Sequence, residues 1–325
     1  MVRKYFIPSL ILLLLLIFTL SLSFGTVKYE FKEIIFSIFH PSSGEEIILK
    51  VRLPRVISAF FVGASLSLAG LLSQTLFLNP LADPYLFGIS SGANFFVTLS
   101  LFFGLDSLFA HSLSVFSFLG ALFSTFLVFI ISRIKGRISP LILLLSGIAL
   151  NYLFSSFSSL FTVWGRDVLN KSVFWSMTGL SNATWLSVKV IIPFFFLSLI
   201  VSIFMYLPLN VYILGEYEAA SLGVNVVFTR TILLILIALL TGSSVYVSGI
   251  IGFIGLMVPN ILRGIFGTDH LKLIPLSVVS GGALLMLSDL VSRTAFSPTE
   301  IPVSIITSLL GVPFFFYILW RERPW

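Results

Sequence analysis

The 325-residue chain contains no cysteine, and only 10% of its residues are charged. The first absence excludes disulfides, thiolate metal sites and cysteine nucleophiles, and leaves the redox compartment open. The second excludes a water-soluble body, because soluble domains carry about 25% charged residues and this chain is 58% hydrophobic. Histidine is scarce too. His40, His111 and His270 lie far apart with no second ligand at metal spacing, and read as isolated loop residues. No G-x-x-x-x-G-K-S/T phosphate loop occurs, so any ATP that drives this protein is hydrolysed on another chain. The net charge of +6 is spread between apolar runs without interleaved aromatics, which argues against nucleic-acid binding. No metal, cofactor or catalytic group is expected of the chain itself.

What the chain does have is long apolar runs. A helix must cross roughly 30 Å of hydrocarbon, which takes about 17–25 residues. Ten runs qualify, near 5–24, 56–77, 85–104, 112–132, 140–163, 186–206, 229–248, 250–266, 273–291 and 303–320, the eighth being short and glycine-rich. They must be helices, because lipid cannot satisfy open backbone groups. Arg3 and Lys4 before the first run imitate a signal peptide, but no clear A-x-A site follows. A retained first helix is expected, with cleavage after Ser21 or Ser23 as the alternative. The expected fold is therefore an all-α integral membrane protein, one ten-helix bundle over residues 1–325.

Ten spans put both termini on one side. Arg3 and Lys4, the cluster Arg133, Lys135 and Arg137, and Arg321 with Arg323 then all face the cytoplasm, as the positive-inside rule asks. All 19 Lys and Arg together divide almost evenly between the two sides, so the dense 133–137 loop carries that argument. The polar segment 25–50, with Lys28, Glu30, Glu33, Glu45 and Glu46, falls outside. So does 164–185, whose Trp164, Trp175 and Trp185 suit a lipid interface. Gly70-Leu71, Asp83 and Ser91-Gly92-Ala93 recur as Gly255-Leu256, Asp269 and Ser280-Gly281-Gly282-Ala283. That is either a weak internal repeat, about 52–163 and 230–320, or chance in a biased composition.

Small residues repeat every four positions in the second span, as Ala59, Gly63, Ser67 and as Ser65, Ala69, Ser73, which predicts close packing inside the bundle. In the fifth span Gly147, Asn151, Ser155, Ser158 and Thr162 form one polar stripe. It lines a polar pathway, or its hydroxyls bond back to their own helix. Asp83, Asp269, Asp289 and Glu300 fall at predicted span ends, so no ionisable relay stands at mid-membrane. That counts against a secondary transporter, which stays the alternative. No paired carboxylates or histidine cluster suggests an embedded enzyme.

The ordered motifs are more specific. Arg52-Leu53-Pro54-Arg55, Gly63-Ala64, Gly70, Gln74, Asn79-Pro80-Leu81-Ala82-Asp83-Pro84 and Gly88-Ile89-Ser90-Ser91-Gly92-Ala93 stand in one half. Leu214-Gly215-Glu216, Ala219-Ala220, Leu222-Gly223, Gly252-Phe253-Ile254-Gly255-Leu256, Pro259-Asn260, Arg263, Asp289, Arg293, Glu300-Ile301-Pro302 and Gly311-Val312-Pro313-Phe314 stand in the other. Together, over about 50–320, they resemble the permease family of ABC importers for ferric siderophores, haem and cobalamin. One departure is Asn260, where that family usually has histidine; no change of function is expected from it.

The resemblance implies ten helices per subunit, a homodimer with the pathway at its interface, cytoplasmic ATPase subunits and an external substrate-binding protein. It implies a cell-membrane location and a metal chelate as cargo, ferric siderophore first, with haem or cobalamin as the alternatives. It assigns Arg52, Arg55 and Arg293 to docking of the binding protein, a use that suits the bidentate guanidinium. Gly215, Glu216, Ala219, Ala220, Leu222 and Gly223 belong to the loop that meets the ATPase, where the bracketing glycines fit a two-turn helix with a glycine C-cap. Asn79 and Leu81, with Ser139 and Pro140, fall at the cytoplasmic gate.

Overall fold

The computed structural model describes residues 2–25, 29–30, 32–33, 47–134, 137–297 and 299–321. Its helices are α1 (Val2–Ser23), α2 (Leu53–Phe77), α3 (Ile89–Phe102), α4 (Ser112–Ser132), α5 (Pro140–Trp164), α6 (Val168–Thr178) and α7 (Trp185–Phe204). After these come α8 (Tyr206–Tyr212), α9 (Glu216–Ser221), α10 (Val226–Ser248), α11 (Ile254–Phe266), α12 (His270–Thr294) and α13 (Val303–Arg321). A two-residue antiparallel ribbon, β1 (Arg133–Ile134) with β2 (Arg137–Ile138), closes the connection between α4 and α5.

Among the described residues, seven helices are long and apolar enough to cross a membrane: α2 with the π-turn Ile48–Arg52 that leads into it, α4, α5, α7, α10, α12 and α13. The other three predicted positions hold shorter apolar helices, Pro8–Ser23 of α1, α3 and α11. Two of these are short for local reasons. Before α3, Asp83 accepts a hydrogen bond from the Tyr85 N–H and starts a 3-10 turn, Pro84–Phe87; Gly88, at φ 71°, then breaks it from α3. A helix running through from 85 is thereby excluded. Similarly, the run expected from 250 is helical only from Ile254, because Gly249 (φ 65°) and Phe253 (φ 70°) hold left-handed backbone between α10 and α11.

Helix ends follow sequence signals. Pro140 opens α5 in its first turn, Asn225 caps α10 by accepting from the Phe228 N–H, and Thr184 with Ser187 forms a capping box on α7. The small-residue stripes do what their spacing predicts. α2 is almost wholly buried and packs against α12, α10, α11 and α7. A Cβ on Gly63 would sit 2.3 Å from the Gly281 carbonyl oxygen, and one on Gly70 only 1.9 Å from that of Gly255. Backbones approach this closely only where neither residue carries a side chain.

The surroundings of two polar residues add to the sequence reading. Asp289 stands in the last turns of α12, near the span end as expected, but is only 1% exposed. His270 is no loop residue; it is the first residue of α12, 1% exposed and hydrogen-bonded on both ring nitrogens. His40 and most of the polar 25–50 segment lie outside the described residues.

Candidate functional site: the two ends of α2 and the pathway stripe

α2 has 25 residues, so its two ends are about 37 Å apart. Arg52, Arg55 and Arg293 meet at its N-terminal end. They do not point outward as free forks. Arg52 donates to the Leu22 and Ser23 carbonyls (2.6 and 3.2 Å), closing the C-terminus of α1, and lies over the Tyr29 ring. Arg55 donates through Nε and Nη2 to Asp289 Oδ1 (3.0 and 2.9 Å), and its Nη1 is 3.0 Å from Glu300 Oε2. Arg293 Nε is 3.2 Å from Asp289 Oδ2, while Nη2 donates to the Ser21 carbonyl at 3.1 Å. All three are under 9% exposed. Desolvation makes such groups costly unless paired, and here each is paired within the chain. Charge reversal at Arg52 or Arg55 would strike the fold before any docked partner.

The other end of α2 meets the 206–223 segment. After α8, the chain turns through Gly215 (φ 125°) into α9, a helix of six residues, shorter than the glycine spacing suggested. The Gly223 N–H reaches the Ala220 carbonyl and the Val224 N–H reaches that of Ala219 (3.1 and 2.9 Å), the paired bonds of a Schellman cap, with Gly223 at φ 85°. Ala219 is buried beneath α9, Ala220 is exposed, and Leu214, Tyr217 and Leu222 are 61%, 90% and 64% exposed. An apolar group of this kind outside the spanning helices marks an interaction surface.

Beneath α9 lies a polar network that periodicity could not reveal. Glu216 pairs with the buried Arg230, whose Nε donates to the Tyr212 hydroxyl (2.8 Å), and Tyr212 donates to the Leu76 carbonyl (3.2 Å). Burial pushes the Tyr212 phenol up, which keeps it protonated as that donor. Asn210 Nδ2 donates to Asp269 (3.0 Å) and holds that carboxyl below its usual value. The orientation leaves Asn210 Oδ1 as acceptor for His270 Nδ1 (2.8 Å). In the neutral ring Nε2 is then the acceptor, 2.8 Å from the Thr75 hydroxyl, whose one hydrogen is shared with the Leu71 carbonyl at 2.9 Å.

Between α2 and Asp83 lies the turn that holds Asn79 and Leu81. Leu78 takes left-handed backbone (φ 50°), and Asn79 Oδ1 accepts from the Leu81 N–H at 2.8 Å. Asn260 Nδ2 donates to the Pro80 and Leu256 carbonyls (2.7 and 2.8 Å), so the residue that departs from the family pattern clasps this turn to α11. Burial raises the Asp83 carboxyl to about 6 against its bond from Tyr85. Ser139 and Pro140 open α5, and among the described residues no hydrogen bond joins them to the turn. A cavity of about 900 Å³ adjoins the turn, lined by Gln74, Asn79, Leu214, Asn260, Arg263 and Tyr317 among others.

The α5 stripe divides. Gly147 packs on Leu86, where a Cβ would fall 2.0 Å from its carbonyl oxygen; Ser158 is buried, and Thr162 donates back to the Ser158 carbonyl at 2.7 Å. These three are packing. Asn151 accepts from Ser91 (2.6 Å) and, with the exposed Ser155, lines a shallow polar hollow of about 420 Å³ shared with Ser90, Ser91 and Asn94.

Apolar spans, one end locked by buried ion pairs and an opposite end carrying a short exposed helix define a multi-pass membrane permease. The sequence pattern of the FecCD transport family matches residues 13–321. The chain is 39% identical over 324 residues to the hemin transport system permease HmuU of Yersinia pestis, covering 97% of each chain. It is 43% identical over 280 residues, 85% of this chain and 79% of the other, to the ABC transporter permease YvrB of Bacillus subtilis. A solved inward-facing structure assigned to the metal-chelate type of ABC transporters superposes with a TM-score of 0.86 at 31% identity, covering 98% of this chain and 99% of that one. The chain belongs to the FecCD transport family.

Proposed function

We propose that this chain is the permease subunit of an ATP-driven importer that carries a metal chelate into the cell, and that it has no chemistry of its own. Two copies of a ten-span bundle enclose the pathway. The internal repeat 52–163 and 230–320 fits the close approach of Gly70 and Gly255, which hold corresponding positions in its halves. The chain lies in the cell membrane with both termini in the cytoplasm. An external binding protein settles on the end where Arg52, Arg55 and Arg293 shape the surface from beneath. Cytoplasmic ATPase subunits grip α9. The turn at Asn79 and Leu81, with Ser139 and Pro140, closes the inner side, and Asn151 and Ser155 face the cargo. Relatives that carry hemin, and a solved relative of metal-chelate type, support a chelate as cargo. Ferric siderophore is the first choice, with haem or cobalamin as the alternatives.

The observation that carries this reading is the exposed apolar group on and beside α9, Leu214, Tyr217 and Leu222, set outside the seven helices long and apolar enough to span. The test uses the absence of native cysteine. Ala220→Cys in membrane vesicles is expected to react with a membrane-impermeant maleimide from the cytoplasmic side only, and to be protected when an ATP-hydrolysing partner co-purifies. Labelling from the outer side, or equal labelling with and without that partner, would contradict the assignment.

A further inference from the structure

The last turn of a helix leaves four carbonyls without intrahelical partners. At the end of α2, those of Gln74 and Thr75 are met by the N–H groups of Leu78 and Asn79. That of Leu76, 0% exposed, is met from outside the helix by the Tyr212 hydroxyl. A side chain of α8 therefore supplies part of the cap from which the Asn79 turn departs. One turn of α2 carries a second tie to the same short helix: the Thr75 hydroxyl bonds His270 Nε2, and His270 Nδ1 bonds Asn210. Asn210 and Tyr212 both belong to α8, which Ile213–Gly215 joins directly to α9. The third link runs back from α9 itself, since Glu216, its first residue, pairs with Arg230, and Arg230 donates to Tyr212.

We infer that Tyr212 and Thr75 are positioning residues, through which movement of the 206–223 segment sets the 78–83 turn. The inference rests on the ATPase-coupling reading of α9 and adds the atoms that transmit it. Buried hydrogen bonds in low dielectric are strong and directional, so a displaced α9 cannot leave the end of α2 unmoved while both ties hold. Breaking them leaves α9 able to receive its partner but disconnects it from the turn. Neither residue touches cargo or nucleotide.

The test is a reporter on the turn. In the cysteine-free chain, Leu81→Cys is placed in the permease–ATPase complex in nanodiscs. Its rate of reaction with a water-soluble maleimide is compared without nucleotide and with Mg-ATP and vanadate. The parent is expected to show a nucleotide-dependent change. In Tyr212→Phe and in Thr75→Val, each of which removes one hydroxyl and keeps most of the packing volume, the change is expected to shrink by about fivefold, the factor one lost net hydrogen bond gives. Protection of Ala220→Cys by the ATPase is read in parallel and is expected to survive in both variants, which a merely unfolded protein would not show. A full parent-like change in either variant overturns the inference. So does a parent turn that ignores nucleotide while Ala220→Cys is protected. Failure of protection in the parent instead refutes the coupling reading beneath it. If Tyr212→Phe does not assemble, Thr75→Val alone decides.

Discussion

Neutralising Asp289 tests whether the end of the bundle at the N-terminus of α2 is held by charge. The carboxylate is 1% exposed and faces two guanidiniums, Arg55 at 2.9 Å and Arg293 at 3.2 Å. Asp289→Asn preserves shape and one acceptor but leaves both cations, among the described residues, with Glu300, whose side chain is 35% exposed, as the nearby anion. Removing one partner of a buried ion pair costs about 3–5 kcal/mol, because the other charge stays desolvated and uncompensated. The exposed pair Lys171–Asp106 is the control. Its 2.6 Å contact is shorter, yet the lysine side chain is 53% exposed, and such pairs are worth about 0.2–1 kcal/mol. Thermal unfolding in detergent, followed by tryptophan fluorescence at one scan rate, is expected to show a drop of roughly 10 °C for Asp289→Asn, at about 2–4 °C per kcal/mol. Asp106→Asn is expected to move by no more than a few degrees. Asp289→Asn with Arg55→Met should cost less than the sum of the singles, by about 1–3 kcal/mol, since the second change removes a stranded cation. Equal shifts for Asp289→Asn and Asp106→Asn, or strict additivity, would refute the reasoning.

Gly70→Ala places a methyl 1.9 Å from a backbone oxygen that no side-chain rotation can move, and is expected to destabilise by about 1–3 kcal/mol or more, whereas Gly264→Ala, with nothing within 4 Å, should be neutral or gain up to about 1 kcal/mol of helix propensity; thermal shifts of the two check this. The Asp83 carboxyl, raised to about 6, binds its proton more tightly folded than unfolded, so stability is expected to fall as pH rises from about 4 to about 6 and then level off. Asp83→Asn keeps the cap acceptor and should remove that slope, on the order of 3 kcal/mol, in a pH series of unfolding curves. Ser155→Trp is expected to block chelate uptake in proteoliposomes more than Phe157→Trp, because Ser155 lines the polar hollow while Phe157 packs beside Phe95; normal uptake with Ser155→Trp would make the whole stripe packing.

Much of this protein was legible from one chain. Spacing of apolar runs located the seven described helices that are long enough to span to within a few residues, except that α2 with its leading π-turn begins at Ile48 and not near 56, because hydrocarbon thickness fixes how much apolar sequence a helix needs. The four-residue repeats of small residues placed α2 at the centre, since only small side chains allow that approach. The glycines around Glu216–Leu222 foretold the short helix and its Schellman cap, a local backbone matter. Partnership across the fold was not legible. Arg55 and Asp289 are 234 positions apart, as the hydrogen bonds between them record, and nothing local distinguishes an arginine that faces a partner from one turned inward onto a carboxylate. The same holds for His270, Asn210 and Thr75, and for Tyr212 and Leu76, whose bonds exist only because α8 and α12 are packed against the end of α2. Periodicity records which face of a helix is apolar; which buried polar atom meets which is decided by the packing that brings distant segments within 3 Å, where desolvation makes an unmet partner costly.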